Sequence, residues 1–324
     1  MNNELITWLL GKSPWIEYRT RIDLLEQTKD EPEVARAYKE SFALPQIQNL
    51  ISELSEWPGP ILKSHKKAGH FLHKLGFLAD IGYKTDIPGV EKIAQRILEH
   101  SSSDGPFQVL VNINPRYGGT GENQFAWMLC DAPLVTYALV RFGLRDNPAI
   151  EESLSYLMSL IRDNGWPCAV SPDLGKFRGP GRKADPCPYA NLVMIKLLAQ
   201  FPERHSDSAV KIGVEALLSL WEQRKERRPY LFAMGTNFAK LKAPLIWYDI
   251  LHVTDVLTQI PWTLKDKRLQ EMIEVVKNKA GQDGKFTAES IWMDWKGWEF
   301  GQKKEPSKWI TLVTQRMLKR SMIV

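Results

Sequence analysis

The feature that most constrains the fold of this chain is a faint repeat with a period of about 60 residues. A glycine shortly before an aromatic residue recurs in the stretches SDGPFQ, DNGWPC and GQDGKF, at Gly105, Gly165 and Gly284. These glycines are 60 and 119 residues apart, which is one and about two periods. A regular internal period indicates a chain built from repeated supersecondary units.

The first three repeats each pair an apolar segment with an amphipathic one, and the fourth apolar segment ends the chain. The apolar segments follow prolines, which are well tolerated in a first helical turn because the missing N–H has no partner there. Helices are therefore predicted to begin near Pro133, Pro188, Pro244 and Pro306. The second segments, such as NPAIEESLSYLMSLIR, place apolar residues at helical spacing with charges between them. We expect buried inner helices to alternate with half-exposed outer helices.

Strand patterns are nearly absent, and FQVLVNI is the best of them. The sequence therefore predicts an all-α protein of about five to six helix pairs. Such pairs either stack as an open solenoid or close into an α/α toroid, which is a barrel of helices. Long loops that recur at one end of the repeat favour the toroid, with these loops at one mouth. Residues 1–57 are expected to form an N-terminal helical extension packed on a toroid domain of residues 58–324.

The glycine-aromatic turns between helix pairs resemble those of the prenyltransferase and squalene-cyclase superfamily, over roughly residues 60 to 320. This resemblance implies a toroid with an aromatic-lined cavity, and prenyl-transfer or terpenoid chemistry. The chain is also similar to a group of uncharacterised bacterial and archaeal proteins, some of which carry a nitrogenase iron-protein label. That label gains no support from GKS at Gly11, because Ile6 stands where a phosphate-binding P-loop has its upstream glycine.

The resemblance to protein prenyltransferases also implies a zinc ion held by an Asp-x-Cys pair and a downstream histidine. Asp185 and Cys187 supply the pair, and His252 follows 65 residues later. Tyr248 departs from the family pattern, since it lies four positions before the histidine rather than one. Cys168 is an alternative to the aspartate as a ligand. The competing interpretation is a small buried thiol and a hydrogen-bonded core histidine.

Acid–base chemistry has a second set of candidates. Asp249 and His252 lie three residues apart on one predicted helix, so they share a face and form either a general acid–base pair or a buried structural pair. Asp185 is the third candidate catalytic residue. Three further histidines in SHKKAGHFLHKL are interpreted as a polar helix start rather than a metal site: His65, His70 and His73.

The stretch LGKFRGPGRK carries the strongest binding signal. It holds four bases and no acid, namely Lys176, Arg178, Arg182 and Lys183. Arginine binds phosphate with paired hydrogen bonds, and glycines at 179 and 181 allow close backbone approach. We predict a phosphate clamp here, with solvated surface charge as the alternative. Two more basic stretches, 223–242 with Arg227 and Arg228, and 295–308, are expected at the same mouth.

Aromatic residues complete the predicted cavity, and its expected lining is Trp127, Tyr189, Trp247, Tyr248 and Trp309. The favoured function is a terpenoid-cyclase-like or prenyltransferase-like enzyme that acts on a small phosphate-bearing or diphosphate-bearing substrate. One alternative is a carbohydrate-active toroid enzyme with two carboxylates drawn from Asp131, Asp185, Asp249 and Glu299. Another is a non-catalytic helical scaffold, for which nucleic acid is the less favoured partner despite a pI of about 8.9.

Composition restricts where such a protein works. No apolar run reaches the roughly 18 residues of a membrane span. The first residues lack the basic start of a signal peptide. Three cysteines in 324 residues are too few for a secreted disulfide framework. We expect a reduced, cytoplasmic protein without a transmembrane segment.

Overall fold

The computed structural model describes residues 3–179, 181–226 and 232–322. In this part of the chain the fold is all-α apart from one small antiparallel sheet, as predicted. The sheet pairs β1 (Val109–Val111) with β2 (Gln124–Ala126), and Leu110 lies opposite Phe125. β1 falls inside the one stretch in which the sequence predicts a strand. None of the described helices is long and apolar enough to cross a bilayer.

The helices are, in chain order, α1 (Asn3–Leu10), α2 (Pro14–Asp23), α3 (Pro32–Phe42), α4 (Pro45–Leu54), α5 (Phe71–Ile81), α6 (Pro88–Leu98), α7 (Ala132–Leu139), α8 (Pro148–Ser159), α9 (Pro188–Leu198), α10 (Ser208–Glu222), α11 (Thr236–Ala239), α12 (Ile250–Leu257), α13 (Lys267–Lys277) and α14 (Lys308–Ser321). They fall into two compact units. Unit 1 comprises Met1–Ile51 and Thr236–Val324, and unit 2 comprises Ser52–Gly235. The boundary after residue 57 that the sequence suggests stays a prediction.

Unit 2 confirms the predicted alternation of inner and outer helices. All residues of α7 and α9 are buried, and so is nearly all of α5, whereas α6, α8 and α10 bury one face each. α5 packs on α7, α7 packs on α9, and α8 and α10 pack on α7 and α9 respectively. The apolar segments form the centre of this unit because every face of them loses solvent.

A buried ion pair links the three inner helices of unit 2. Lys196 on α9 lies 3.0 Å from the carboxylate of Asp80 on α5, and both side chains are almost fully buried. The hydroxyl of Tyr137 on α7 donates to the same carboxylate at 2.6 Å. Since an isolated buried charge is costly, this network requires all three helices to pack in one arrangement.

In unit 1, α12 is buried along its whole length and packs against α13 and α14. Asp255 of α12 accepts two hydrogen bonds from the Arg316 guanidinium, at 3.0 and 2.7 Å. Tryptophans fill the space between α2 and α14, where the rings of Trp15 and Trp309 lie 4.8 Å apart. The ion pair and the contacting tryptophan rings together fix how α12 and α2 meet α14.

Three of the four predicted helix starts are close to the observed ones. α9 begins at Pro188, Pro133 is the second residue of α7, and α14 begins two residues after Pro306. The prediction at Pro244 is wrong, since α12 begins only at Ile250. The reason is a cap: the side chain of Asp249 accepts the backbone N–H of His252 and sets the helix start there.

Candidate functional site

Three side chains with metal-ligating chemistry converge at the start of α7 in unit 2. The His65 ring nitrogen Nε2 lies 3.1 Å from Asp131 Oδ2 and 3.3 Å from Cys130 Sγ. One donor atom from each residue lies within 4.8 Å of the other two. Within the described part of the chain, no other group of three or more His, Cys, Asp or Glu side chains comes close enough together to share a metal ion.

Local structure explains why these side chains meet. Asp131 is the residue before α7, and its carbonyl accepts the N–H groups of Leu134 and Val135. One carboxylate oxygen accepts the Met128 N–H at 2.8 Å, which leaves the other oxygen for His65. The aspartate side chain is fully buried, whereas the histidine side chain retains 15% exposure. The cluster therefore has a solvent-facing side at its imidazole.

Electrostatics favour the protonated form of the His65 imidazole. Burial disfavours the His65 imidazolium, but Cys130 and Asp131 outweigh burial and raise its pKa to about 10. Burial raises the pKa of the Cys130 thiol, and His65 only partly opposes this. The His65 ring is held by its contacts with the Asp131 carboxylate oxygen and the Cys130 sulfur.

Two of the three donor-atom separations are close to those around a tetrahedral ion. Ligands bound to zinc at 2.0–2.3 Å lie roughly 3.3–3.8 Å apart, and thiolate, imidazole and carboxylate are all zinc ligands. The observed separations of 3.1 and 3.3 Å are hydrogen-bond distances, and all three donor atoms lie within 4.8 Å of one another. Binding would displace protons from the thiol and the imidazolium.

The other two cysteines of the chain lie in the same region. Leu129 donates its N–H to Ala169, next to Cys168, and Cys187 donates its N–H to Trp166 at 2.8 Å. The Cys187 thiol hydrogen-bonds to the Cys168 sulfur, which lowers the pKa of Cys168 to about 7 despite partial burial. The same contact, together with burial, raises the pKa of Cys187.

The predicted basic clamp lies on the surface of unit 2, and all four of its bases are exposed: Lys176, Arg178, Arg182 and Lys183. One of its two arginines makes hydrogen bonds within the loop itself. Arg178 donates to the carbonyls of Gly175 and Phe177 at 2.8 and 2.7 Å, which stabilises the turn. The backbone of the loop presses on Cys168, since a Cβ at Gly181 would lie 3.0 Å from the sulfur. Pro180, within this loop, lies outside the described residues.

The remaining predicted positions lie in both units. Cys187 is in unit 2 and His252 in unit 1, so the zinc ligand set predicted from the sequence stays a prediction. Asp185 is half-buried. The three basic stretches also draw on both units, and Arg227 and Arg228 lie outside the described residues. The predicted lining aromatics are buried except Trp247, which is half-buried.

Asp249 and His252 do meet, although through the backbone. Asp249 Oδ1 accepts the His252 N–H at 3.1 Å, and the imidazole Nδ1 lies 3.0 Å from the Trp247 carbonyl oxygen. Burial raises the pKa of Asp249 to about 7, and Lys242 lowers it by less. Within the described part of the chain, Asp249 Oδ2 has no hydrogen-bond partner. This carboxyl is a buried acid that is half-protonated near neutral pH.

Two carboxylates of the carbohydrate alternative have structural contacts. Glu299 accepts the N–H groups of Lys308 and Trp309 at 3.1 and 2.7 Å, and so caps α14. Asp131 is held by His65 and by the Met128 N–H.

Sequence reasoning missed where the His65 side chain lies. Interpreting the three histidines as a polar helix start is right for His70, which caps α5 by accepting the Leu72 N–H. It is wrong for His65, which lies before the helix and contacts Cys130 and Asp131 instead. The sequence contains a pattern that could have indicated this cluster. CDAP before α7 and DPCP before α9 both place an acid and a cysteine at the start of an inner helix.

No protein-family model matches the chain, and no curated protein matches it significantly.

Proposed function

We propose that this protein is a zinc-dependent enzyme acting on a small phosphate-bearing or diphosphate-bearing substrate. His65, Cys130 and Asp131 hold the ion, and the substrate phosphate binds to the neighbouring basic loop. The observation that carries this proposal is the convergence of imidazole, thiol and carboxylate donor atoms within 4.8 Å beside a loop with four bases. Three protein ligands leave a fourth position open, which is the arrangement of catalytic rather than structural zinc.

The loop and the cluster are neighbours through Cys168. The loop backbone at Gly181 packs against the Cys168 sulfur, and Cys168 in turn lies close enough to His65 that the imidazolium lowers its pKa. Exposed bases next to a partly buried metal cluster concentrate anions at its open side. Arg182 and Lys183 are exposed, and they supply the phosphate contacts in this proposal.

Each residue has a defined task in this scheme. A bound zinc ion supplies Lewis acidity for a phosphate oxygen or for the group that leaves. The Met128 N–H holds one carboxylate oxygen of Asp131, so the other oxygen would be presented to the ion. Cys130 contributes a thiolate, whose negative charge the metal stabilises.

The wider architecture in this proposal is the α/α toroid, in a cytoplasmic protein. Its support is the confirmed alternation of buried α5, α7 and α9 with half-exposed α6, α8 and α10. The resemblance to prenyltransferases and squalene cyclases makes an isoprenoid diphosphate the first substrate class to test. The ligand set proposed here has the same residue types as the predicted one, with His65 and the Cys130–Asp131 pair in place of His252 and the Asp185–Cys187 pair.

The test is zinc content, measured by plasma mass spectrometry after purification without chelator. Wild type should hold one zinc per chain, and His65→Ala, Cys130→Ser and Asp131→Asn should each lose at least tenfold in zinc affinity. His205→Ala is the matched control, because that imidazole contacts the Ala199 carbonyl just after α9 and is not one of the three converging side chains. Wild type without zinc after reconstitution, or equal zinc in all variants, refutes the site.

Substrate binding needs its own measurement. Calorimetry with inorganic diphosphate and with a prenyl diphosphate should show weaker binding for Arg182→Ala, by roughly tenfold, since a charge-assisted hydrogen bond is worth about 1.5–3 kcal/mol. Lys211→Ala, a lysine of α10 outside the loop, is the control. Equal affinity in wild type and Arg182→Ala excludes the phosphate role of this loop while leaving the zinc site to its own test.

A further inference from the structure

We propose that Cys168 and Cys187 form a reversible dithiol–disulfide pair that closes the base of the basic loop. The two thiols bracket residues 169–186, which contain all four bases of the predicted clamp. Their side chains are in hydrogen-bond contact. The proposal does not depend on zinc binding by His65, Cys130 and Asp131.

Backbone contacts hold the two cysteines together whatever the loop between them does. Cys187 donates its N–H to the Trp166 carbonyl at 2.8 Å. The Asn191 side chain accepts the Trp166 N–H at 3.0 Å and donates to the Trp166 carbonyl at 2.9 Å. Trp166 and Asn191 are fully buried, so the segment before Cys168 is fixed against the start of α9.

The two thiols have different environments, as nucleophilic and resolving cysteines do. Cys168 is half-exposed and accepts hydrogen bonds from the Cys187 thiol and from the Gly181 N–H, which stabilise its thiolate. Cys187 is 7% exposed and lies at the N-cap of α9, where burial favours its neutral thiol. In this proposal Cys168, the more exposed of the two, is the attacking thiol, and Cys187 resolves the adduct.

The chemistry is thiol–disulfide exchange with a low-molecular-weight disulfide as the oxidant. The Cys168 thiolate attacks one sulfur of that disulfide, and the other sulfur leaves as a thiolate and takes up a proton. Cys187 then loses its proton to solvent and attacks the Cys168 sulfur, expelling the second small thiol. Two protein thiols lose two electrons and two protons, and one small disulfide is reduced to two thiols.

Oxidation would also change the basic loop. A Cβ at Gly179 would lie 2.9 Å from the Cys168 Cβ, so the loop is closely packed on this residue. A bond from this sulfur to Cys187 would remove the thiolate that accepts the Gly181 N–H. The loop that carries the bases is therefore expected to bind anions differently in the oxidised and reduced proteins.

The experiment uses metal-free protein equilibrated with oxidised and reduced glutathione, alkylated and weighed by intact mass spectrometry. The chain has three free thiols, and oxidation should leave one of them, with Cys168 and Cys187 joined in the peptide map. Cys130→Ser is the matched control and should still lose two thiols. Cys187→Ser should stop at one glutathione adduct on Cys168, and Cys168→Ser should form no intramolecular bond. Dithiothreitol should restore all thiols.

Three results overturn the proposal. One is that folded wild type keeps three alkylatable thiols at every glutathione ratio, whereas unfolded wild type is oxidised by the same reagent. Another is a bond that joins Cys130 to either other cysteine. The last is a Cys187→Ser protein that carries its glutathione adduct on Cys130 and none on Cys168.

Discussion

Asp249 is expected to make the stability of this protein fall as the pH rises toward neutrality. Its side chain is fully buried, and burial raises its pKa to about 7. An aspartate in an unfolded chain titrates near 3.9, and each pH unit of difference is worth about 1.4 kcal/mol. The native state therefore retains a proton that the unfolded state loses, and the gap amounts to about 4 kcal/mol.

The sign follows from which state binds more protons. Below about pH 4, Asp249 is protonated in both states, and its contribution to the free energy of unfolding is fully present. Between about pH 4 and 7 only the folded state keeps the proton, so stability decreases as the pH rises. Above about pH 7 the buried carboxylate forms and the contribution is lost, with Lys242 offsetting part of its charge.

Asp249→Asn isolates this effect. Asparagine retains an oxygen that accepts the His252 N–H and is as good an N-cap as aspartate, so the start of α12 should persist. The variant lacks the titration, and its stability relative to wild type should increase by about 4 kcal/mol between pH 4 and pH 7.5. Urea unfolding at half-unit pH steps, followed by tryptophan fluorescence, measures the difference.

Asp266→Asn provides a control of opposite sign. Asp266 also caps a helix, α13, but hydrogen bonds from Arg268 hold the pKa of this carboxyl below its usual range. Its contribution is present above the unfolded pKa and is lost as the pH falls, so this variant should lose relative stability as the pH rises. Parallel curves for wild type and Asp249→Asn across pH 4 to 7.5 would refute the buried-acid argument.

Two further predictions concern the interior of unit 2. Lys196→Met should lower the free energy of unfolding by about 3–5 kcal/mol, because it leaves the buried Asp80 carboxylate without its cation. Adding Asp80→Asn should recover most of this loss. A double variant as unstable as Lys196→Met would contradict the argument. Gly165→Ala should destabilise by more than about 3 kcal/mol, since its φ is +112° and the new Cβ would lie 2.6 Å from Asn191 Oδ1. Gly143→Ala is the control: its φ of +103° is similar, but the atom nearest to the new Cβ is 3.6 Å away, so it should cost only about 1–2 kcal/mol. Equal melting temperatures for the two variants would exclude the steric cause.

Much of the fold follows from local pattern. The apolar segment after Pro188 becomes a helix with every residue buried, as its uniform hydrophobicity predicts. The segment NPAIEESLSYLMSLIR becomes α8 with one face buried, because helical spacing of apolar residues determines which side loses solvent. FQVLVNI supplies β1 for the reason that its β-branched residues favour extended backbone. These features depend on neighbours within about one helical turn, which the sequence displays directly.

Tertiary structure alone decided where chemistry-bearing side chains meet. His65 reaches Asp131, 66 residues away, because the loop before α5 passes the start of α7, and no local periodicity encodes that approach. The apolar segment after Pro244 looks as helical as the one after Pro188, yet a single cap at Asp249 moves the helix start to Ile250. Hydrophobic pattern sets which residues are buried, whereas polar contacts between distant segments depend on packing that forms only when the helices assemble.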